Sequence, residues 1–235
     1  SRIPNAANPS IDKFYALSKR HSGLTPWWAR AVVGQTILNF PAPDAPEPYG
    51  GLALARKLIA DFRGDPLITP AFAPHAPYTV DAAHLREIAG VSAELDAPVM
   101  IHLAEMTEEM TSLRCDYGMT PVEYLDPLGL LNRRLIAAHC IFVNDTDIAL
   151  MKERDVGVAH ALVANIKSAK GVAPAPKMYN QGLRIRLATD GPMSGNTLDI
   201  IDQIARVHRV LLLDSQLPRH APRSRQMNGV EISNI

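Results

Sequence analysis

The sequence predicts an α/β fold in which parallel strands alternate with helices and form a barrel. Short β-rich apolar runs recur along the chain, separated by segments with helical periodicity. Because the carboxyl ends of parallel barrel strands open onto one face, residues that end such runs are expected to surround one ligand. Five runs end on a histidine or an aspartate: Leu67–His75, Ala97–His102, Leu135–His139, Val156–His160 and Leu183–Asp190.

Length and charge restrict the class of protein. A chain of 235 residues has the size of a single α/β barrel. Basic and acidic residues balance at 24 each, so no net charge favours nucleic acid or an anionic membrane as a partner. No apolar run approaches the ~20 residues that span a bilayer, and the polar start lacks the apolar segment of a signal peptide. We therefore expect a small-molecule ligand. The sequence is compatible with a homo-oligomer but does not determine the oligomeric state.

The two cysteines, Cys115 and Cys140, are too few for a disulfide framework or a four-cysteine zinc site. Free thiols are ordinary in the reducing cytosol. A cytoplasmic location is therefore predicted.

Three regions are expected along the chain. Residues 1–28 are polar and interrupted by prolines, which predicts an irregular tail. Residues 29–217 carry the barrel elements, beginning with a strand at Ala31–Leu38. The four prolines within Asn39–Gly50 predict an extended loop, because proline fixes φ and removes a backbone donor. Residues 218–235 form a basic, turn-rich tail to which no regular structure is assigned.

Four helices are predicted from caps and periodicity. Asp81 caps a segment with one apolar stripe, and Thr120 precedes Pro121 at the start of a short helix. A third helix spans Asn144–Arg154, and the longest spans Asn196–Leu213. The buried side of the longest helix is predicted to comprise Leu198, Ile201, Ile204, Ala205 and Leu212. The histidines His21, His84, His208 and His220 are predicted to be surface residues.

The pattern from His102 to Glu105 indicates metal-assisted chemistry. A strand-end histidine can hold Zn²⁺, and a glutamate just beyond it can reach a water activated by the metal. Zinc lowers the pKa of such a water from ~15.7 to about 7, and a nearby carboxylate can pass its proton to a leaving amine. A loop histidine beside a solvated glutamate would give the same pattern, so its place in a series of strand ends carries the interpretation.

The other strand-end residues extend this hypothesis. Asp190, followed by Gly191, can be both a metal ligand and a base, although Asp-Gly is also a common turn. His139 can orient water or polarise the attacked atom, and His75, held between two prolines, can position a substrate. The chain has no HExxH, GxSxG, GxGxxG or phosphate-binding GxxxxGK[ST] motif.

Together these segments resemble the amidohydrolase superfamily, specifically its 5-methylthioadenosine/S-adenosylhomocysteine deaminases and the related triazine and guanine hydrolases. The resemblance runs from about Arg30 to about Leu217. The matching segments, in order, are Ala73–Thr79, Ile101–Glu105, Ala138–Cys140, Asn165–Gly171 and Ala188–Asp199.

The resemblance implies a metal-dependent TIM barrel that deaminates a purine-type or related N-heterocyclic substrate and releases ammonia. It implies one Zn²⁺ per chain, although other divalent metals are compatible. The implied metal ligands are His102, Asp190 and His139, and the implied catalytic residues are Glu105, His139 and Asp190. The implied substrate contacts are His75, Glu105, His160 and Ser194.

Two departures from the family pattern leave alternatives open. The family places an HxH pair on the first barrel strand, and this sequence contains no HxH. Its strands therefore correspond to strands 3 to 8 of an incomplete barrel. Ala161-Leu162 also replaces the family's Cys-Pro pair after His160. The alternatives are a catalytically inactive fragment that binds a ligand, or a hydrolase of the same fold that cleaves another C–N or a C–halogen bond.

Overall fold

The structure, a computed structural model, describes residues 31–216, with side chains from 32 to 210. The two predicted tails, with His21 and His220, lie outside the described residues. Between 31 and 216, no helix is long and apolar enough to cross a membrane.

A parallel six-stranded sheet forms the centre of the described region. Its strands lie in sequence order, and each neighbouring pair is parallel. This confirms the predicted α/β class. Within the described residues β1 and β6 are the two edges of the sheet and do not pair with each other, as in an open, incomplete barrel. The strands are Ala31–Ile37 (β1), Ile68–Pro74 (β2), Val99–Leu103 (β3), Leu135–His139 (β4), Gly157–His160 (β5) and Arg184–Leu187 (β6).

Helices follow each strand, as expected for successive βα units. α1 follows β1, α2 follows β2, α3 and α4 follow β3, and α5 follows β4. The helices of the described region are Gly51–Asp61 (α1), Ala82–Leu95 (α2), Thr107–Tyr117 (α3), Pro121–Leu125 (α4), Asp145–Glu153 (α5), Leu162–Lys167 (α6), Ala175–Asn180 (α7), Pro192–Gly195 (α8) and Ile200–Gln216 (α9).

Side-chain caps fix the starts of three helices at the predicted positions. Asp81 accepts from the backbone N–H of His84 at 2.9 Å, and Asn144 accepts from that of Asp147 at 2.9 Å. The Thr120 hydroxyl accepts from the Glu123 N–H at 3.1 Å, with Pro121 in the first turn. Each cap satisfies a backbone donor that has no partner inside the helix.

Five of the nine helices of residues 31–216 were not predicted: α1, α3, α6, α7 and α8. α1 begins at Gly51, where a Cβ would lie 2.0 Å from the carbonyl oxygen of Thr36, so only glycine lets the helix start this close to β1. α3 has little apolar periodicity in its sequence, and its buried residues are Glu109 and Leu113. The proline-rich segment 39–50 is a loop, as predicted, and contains a single isolated bridge between Ala42 and Ala45.

The prediction for the last helix was wrong in its start and in its buried side. α9 begins at Ile200 rather than Asn196, after the separate turn of α8. Ile201 and Ile204 are 68% and 53% exposed, Leu198 and Ala205 are also exposed, and the side chain of Leu212 is not described. The physical reason is rotation of the helix, since among its side chains up to residue 210 the buried one is Gln203, at 1% exposure. The apolar stripe therefore points away from the described sheet.

The two faces of the sheet differ in burial. In β3, Val99, Ile101 and Leu103 are buried in the main core cluster, whereas Met100 and His102 alternate with them and are half-buried. The same alternation occurs in β4. His102 therefore belongs to the more open face.

Candidate active site

Three strand ends bring three histidine rings into contact. The ring centroids of His75 and His102 are 4.8 Å apart, and those of His102 and His139 are 5.3 Å apart with an interplanar angle of 20°. His75 follows the last residue of β2, His102 is the penultimate residue of β3, and His139 ends β4. Parallel pairing therefore places these residues together, as the sequence predicts.

The backbone just beyond β2 fixes the ring of His102. His102 Nδ1 donates to the carbonyl oxygen of His75 at 2.6 Å, and the backbone N–H of His102 donates to the same oxygen at 3.0 Å. A neutral imidazole that donates from Nδ1 keeps its lone pair on Nε2. His75 Nδ1 in turn lies 2.9 Å from the hydroxyl of Thr79. Burial, followed by the proximity of His102, lowers the pKa of His75.

His139 is held by a residue of α6, the helix that follows β5 in the chain. Its Nδ1 donates to Asn165 Oδ1 at 2.8 Å, and both residues are buried. Burial lowers the pKa of His139 despite the nearby Glu105 carboxylate, so the ring is neutral at pH 7. Its Nε2 lies 3.4 Å from Glu105 Oε1. Two acceptors that face each other at this distance define a position for a shared proton or for a polar hydrogen of a ligand.

Glu105 is buried and has a cationic partner that the sequence analysis did not identify. Its Oε1 accepts a hydrogen bond from Lys170 Nζ at 2.6 Å. Lys170 follows α6, 65 residues further along the chain. The sequence analysis placed this lysine in a motif but gave it no role, because only the folded chain brings it to the end of β3.

A second glutamate holds the backbone around Glu105. Glu109 Oε1 accepts from the N–H of Ala104 and Glu109 Oε2 accepts from the N–H of Glu105, both at 3.0 Å. Glu109 is 2% exposed, and burial raises its pKa to about 6. The sequence analysis also missed this residue.

Three of the predicted site residues lie around a cavity of about 170 Å³. Glu105, Asp190 and Ser194 line it together with Lys167 and Lys170. Asp190 is exposed and lies three residues beyond the end of β6, so the predicted strand Leu183–Asp190 was too long. Ser194 lies in α8. Lys167 donates to Met193 O at 2.5 Å and to Asn196 Oδ1 at 2.6 Å, which ties α6 to this wall of the cavity.

His160, the last residue of β5, is buried at 3% exposure. Its Nδ1 has no hydrogen-bond partner within the described residues, and burial lowers its pKa. A neutral ring with an unpaired buried nitrogen is suited to accept a hydrogen bond from a ligand or to donate one.

The described side chains supply only part of a zinc site. His102 and His139 each direct Nδ1 to a protein oxygen, the arrangement that orients metal-binding histidines. However, no three His, Cys, Asp or Glu side chains within residues 31–216 lie close enough together to hold a metal ion. Catalytic zinc takes three protein ligands and a water. The described set therefore does not fit a complete zinc site.

Several backbone positions at the mouth of the site are left-handed although they are not glycine. Ala104 has φ 50°, His139 has φ 70°, Cys140 has φ 50° and Asp190 has φ 59°. These residues end or follow β3, β4 and β6. Such φ values are uncommon for residues with a Cβ and concentrate at functional sites.

The chain is similar in sequence to curated deaminases. The chain is 38% identical over 188 residues to the 5-methylthioadenosine/S-adenosylhomocysteine deaminase of Syntrophobacter fumaroxidans, covering 79% of this chain and 43% of that protein. It is 38% identical over 177 residues to the 5'-deoxyadenosine deaminase of Methanothermobacter thermautotrophicus, covering 74% of this chain and 41% of that protein. The chain thus spans less than half the length of these relatives.

A solved structure shows the same fold. An adenosine deaminase from Xanthomonas campestris with bound zinc superposes with a TM-score of 0.77 and is 35% identical, covering 87% of this chain and 46% of that one. The sequence also matches the amidohydrolase family over residues 18–226. Because this match covers most of its length, the chain belongs to the amidohydrolase family.

Proposed function

We propose that this chain carries the later strands of a zinc-dependent hydrolytic deaminase that acts on an adenine nucleoside or a related N-heterocycle and releases ammonia. The observation that carries the proposal is the contact between Glu105 and the neutral ring of His139, beside a cavity that Asp190 also lines. The names of the relatives support the substrate class, since they act on methylthioadenosine or S-adenosylhomocysteine, 5'-deoxyadenosine and adenosine.

Glu105 is proposed to move the proton. Its carboxylate opens onto the cavity and can take a proton from the attacking water and deliver it to the leaving amine. Lys170 Nζ donates a hydrogen bond to this carboxylate at 2.6 Å and holds it beside the cavity. Asp190, which also lines the cavity, is proposed as a base.

His139 is proposed to orient the reacting groups. Its Nδ1 is occupied by Asn165, so its Nε2 is the nitrogen that faces Glu105 and the incoming group. His75, His160 and Ser194 are proposed to contact the substrate. The unpaired Nδ1 of the buried His160 supports this role for His160.

Zinc is proposed to bind His102, Asp190 and His139 together with ligands from outside the described residues, because the described set does not form a complete site. When bound, zinc makes a nucleophilic water available at neutral pH.

Ammonia release tests this function. The full-length protein, loaded with zinc, would be assayed with 5-methylthioadenosine, S-adenosylhomocysteine, 5'-deoxyadenosine, guanine and a chlorotriazine. Turnover of the adenine nucleosides is expected. Turnover of the triazine alone would replace the proposal with a C–halogen hydrolase, and no turnover of any compound would refute it.

A second candidate is a catalytically inactive binding chain of the same family. The missing HxH and the incomplete ligand set favour it. Metal analysis of the purified chain separates the two candidates. About one tightly held zinc per chain would contradict the hypothesis of an inactive chain. A metal-free chain that still binds a nucleoside would support that hypothesis.

A further inference from the structure

We propose that Glu109 is a positioning residue that holds the backbone of Glu105, and thereby the proton-transferring carboxylate, in place at the end of β3. This inference rests on the function proposed above for Glu105. Glu109 lies outside the cavity lining and has no assigned role in the chemistry.

The carboxylate of Glu109 binds two successive backbone amides. One oxygen accepts from Ala104 and the other from Glu105, both at 3.0 Å, and the backbone N–H of Met106 also contributes to its electrostatic environment. A carboxylate that spans adjacent amides fixes the peptide plane between them. Each of the two donors is thus satisfied by its own carboxylate oxygen.

Burial makes this contact unlike an ordinary surface interaction. Glu109 is 2% exposed, and none of the ion pairs of residues 31–216 includes it. A buried carboxylate without a cation is unfavourable unless it is hydrogen-bonded, so its backbone contacts account for its presence in the core.

Helix capping alone does not explain the contact. α3 begins at Thr107, and Met106 is its cap residue, so a glutamate at the third helical position ordinarily reaches back to the Met106 N–H. The amides of Ala104 and Glu105 precede the helix altogether. Glu109 therefore ties the start of α3 to the end of β3, across the residue proposed to transfer the proton.

The backbone at this point needs such a restraint. Ala104 has φ 50°, a left-handed conformation that alanine rarely adopts. On its other side the carbonyl oxygen of Ala104 accepts from the N–H of Phe142 at 2.9 Å. The two contacts together hold the turn that directs Glu105 toward His139 and Lys170.

The test compares Glu109→Gln with Glu108→Gln. Glu108 is the exposed neighbour in the same first turn. Among the described contacts its side chain accepts only from the hydroxyl of Thr107, so it is a matched control. A glutamine at 109 keeps the size of the side chain but turns an NH₂ group toward one of the two N–H donors.

Amide hydrogen exchange measures directly how well Glu109 protects the two backbone amides that it binds. The measurement does not require enzyme activity. In Glu109→Gln the Ala104 and Glu105 amides should lose protection while the core amides of β4 keep theirs, and Glu108→Gln should match the wild type. Unchanged protection at Ala104 and Glu105 would overturn the proposal. If the wild-type protein releases no ammonia, the proposed function fails, and the exchange result still decides the role of Glu109.

Kinetics give the second readout. A displaced Glu105 should lower kcat on the order of 100-fold, since misplacement by about 1 Å has effects of this size, with KM nearly unchanged. Glu109→Asp, which keeps the charge but is one methylene shorter, should give the same pattern. Full kcat in both variants, or an equal loss through KM, contradicts a positioning role.

Discussion

His139 Nδ1 lies 2.8 Å from Asn165 Oδ1, and this bond determines which nitrogen of the ring faces Glu105. Both residues are buried, and β5 separates them along the chain. The protein alone therefore fixes the tautomer of His139, with the proton on Nδ1 and with Nε2 facing the carboxylate of Glu105.

Removing the acceptor should destabilise the protein. Asn165→Ala leaves the buried Nδ1–H of His139 without a partner, and we expect a loss of about 1–3 kcal/mol in the free energy of unfolding. Asn180→Ala, at an exposed position in α7, should change it by no more than about 0.5 kcal/mol. Urea denaturation measures both, and equal effects would show that the Asn165 bond contributes nothing specific.

The raised pKa of Glu109 should make the stability of the protein depend on pH. Its pKa is raised from 4.5 to about 6 in the folded protein, so the folded state binds a proton at higher pH than the unfolded state. Stability from this group is therefore gained as pH falls from about 6 to 4.5, by on the order of 2 kcal/mol. The unfolding free energy of the wild type minus that of Glu109→Gln should rise by this amount between pH 7 and 4.5. A constant difference would mean that the pKa of Glu109 is not raised.

The two cysteines should differ sharply in reactivity. Cys115 is exposed, whereas Cys140 is fully buried and its pKa is raised far above the usual range by burial. Because the thiolate is the reactive form, Ellman's reagent at pH 8 should label one thiol per native chain. Cys115→Ser should remove this rapid labelling and Cys140→Ser should keep it. Rapid labelling of the Cys115→Ser variant would show that the core around β4 opens.

The proposed chemistry separates proton transfer from metal binding. Glu105→Gln should abolish ammonia release and leave the zinc content unchanged, because glutamine cannot carry the proton. Asp190→Asn should lower zinc content and rate together. Elemental analysis beside the ammonia assay distinguishes them. Loss of zinc from Glu105→Gln would refute the proton-transfer role, and an Asp190→Asn protein with full zinc and full rate would exclude Asp190 as a ligand.

Local signals made much of the fold predictable. The caps at Asp81, Thr120 and Asn144 act within one helical turn, and the strand Leu135–His139 was predicted at its observed bounds. The site was predictable where a strand end delivers the side chain, as for His102 and His139. The family assignment, which rests on such strand ends, is confirmed.

The remaining features depend on distant parts of the chain. Asn165 and Lys170 reach His139 and Glu105 only after β4, β5 and α6 are assembled. Glu109 gave no signal, because a charged residue in a polar helix is usually solvated. The apolar stripe of α9 was detected, but periodicity does not say which side of a helix meets the sheet. The roles of the site residues, the tails and the cytoplasmic location stay predictions.

The left-handed residues at the strand ends restrict which substitutions can stabilise the protein without moving the side chains of the site. Each holds a conformation that costs about 1–2 kcal/mol for a residue with a Cβ, and they cluster where Glu105, His139 and Asp190 are placed. Substitutions that relax these backbones would raise thermal stability and displace the side chains at the mouth. For the proposed deaminase, selection for stability and selection for activity would therefore act in opposite directions on the same few backbone positions.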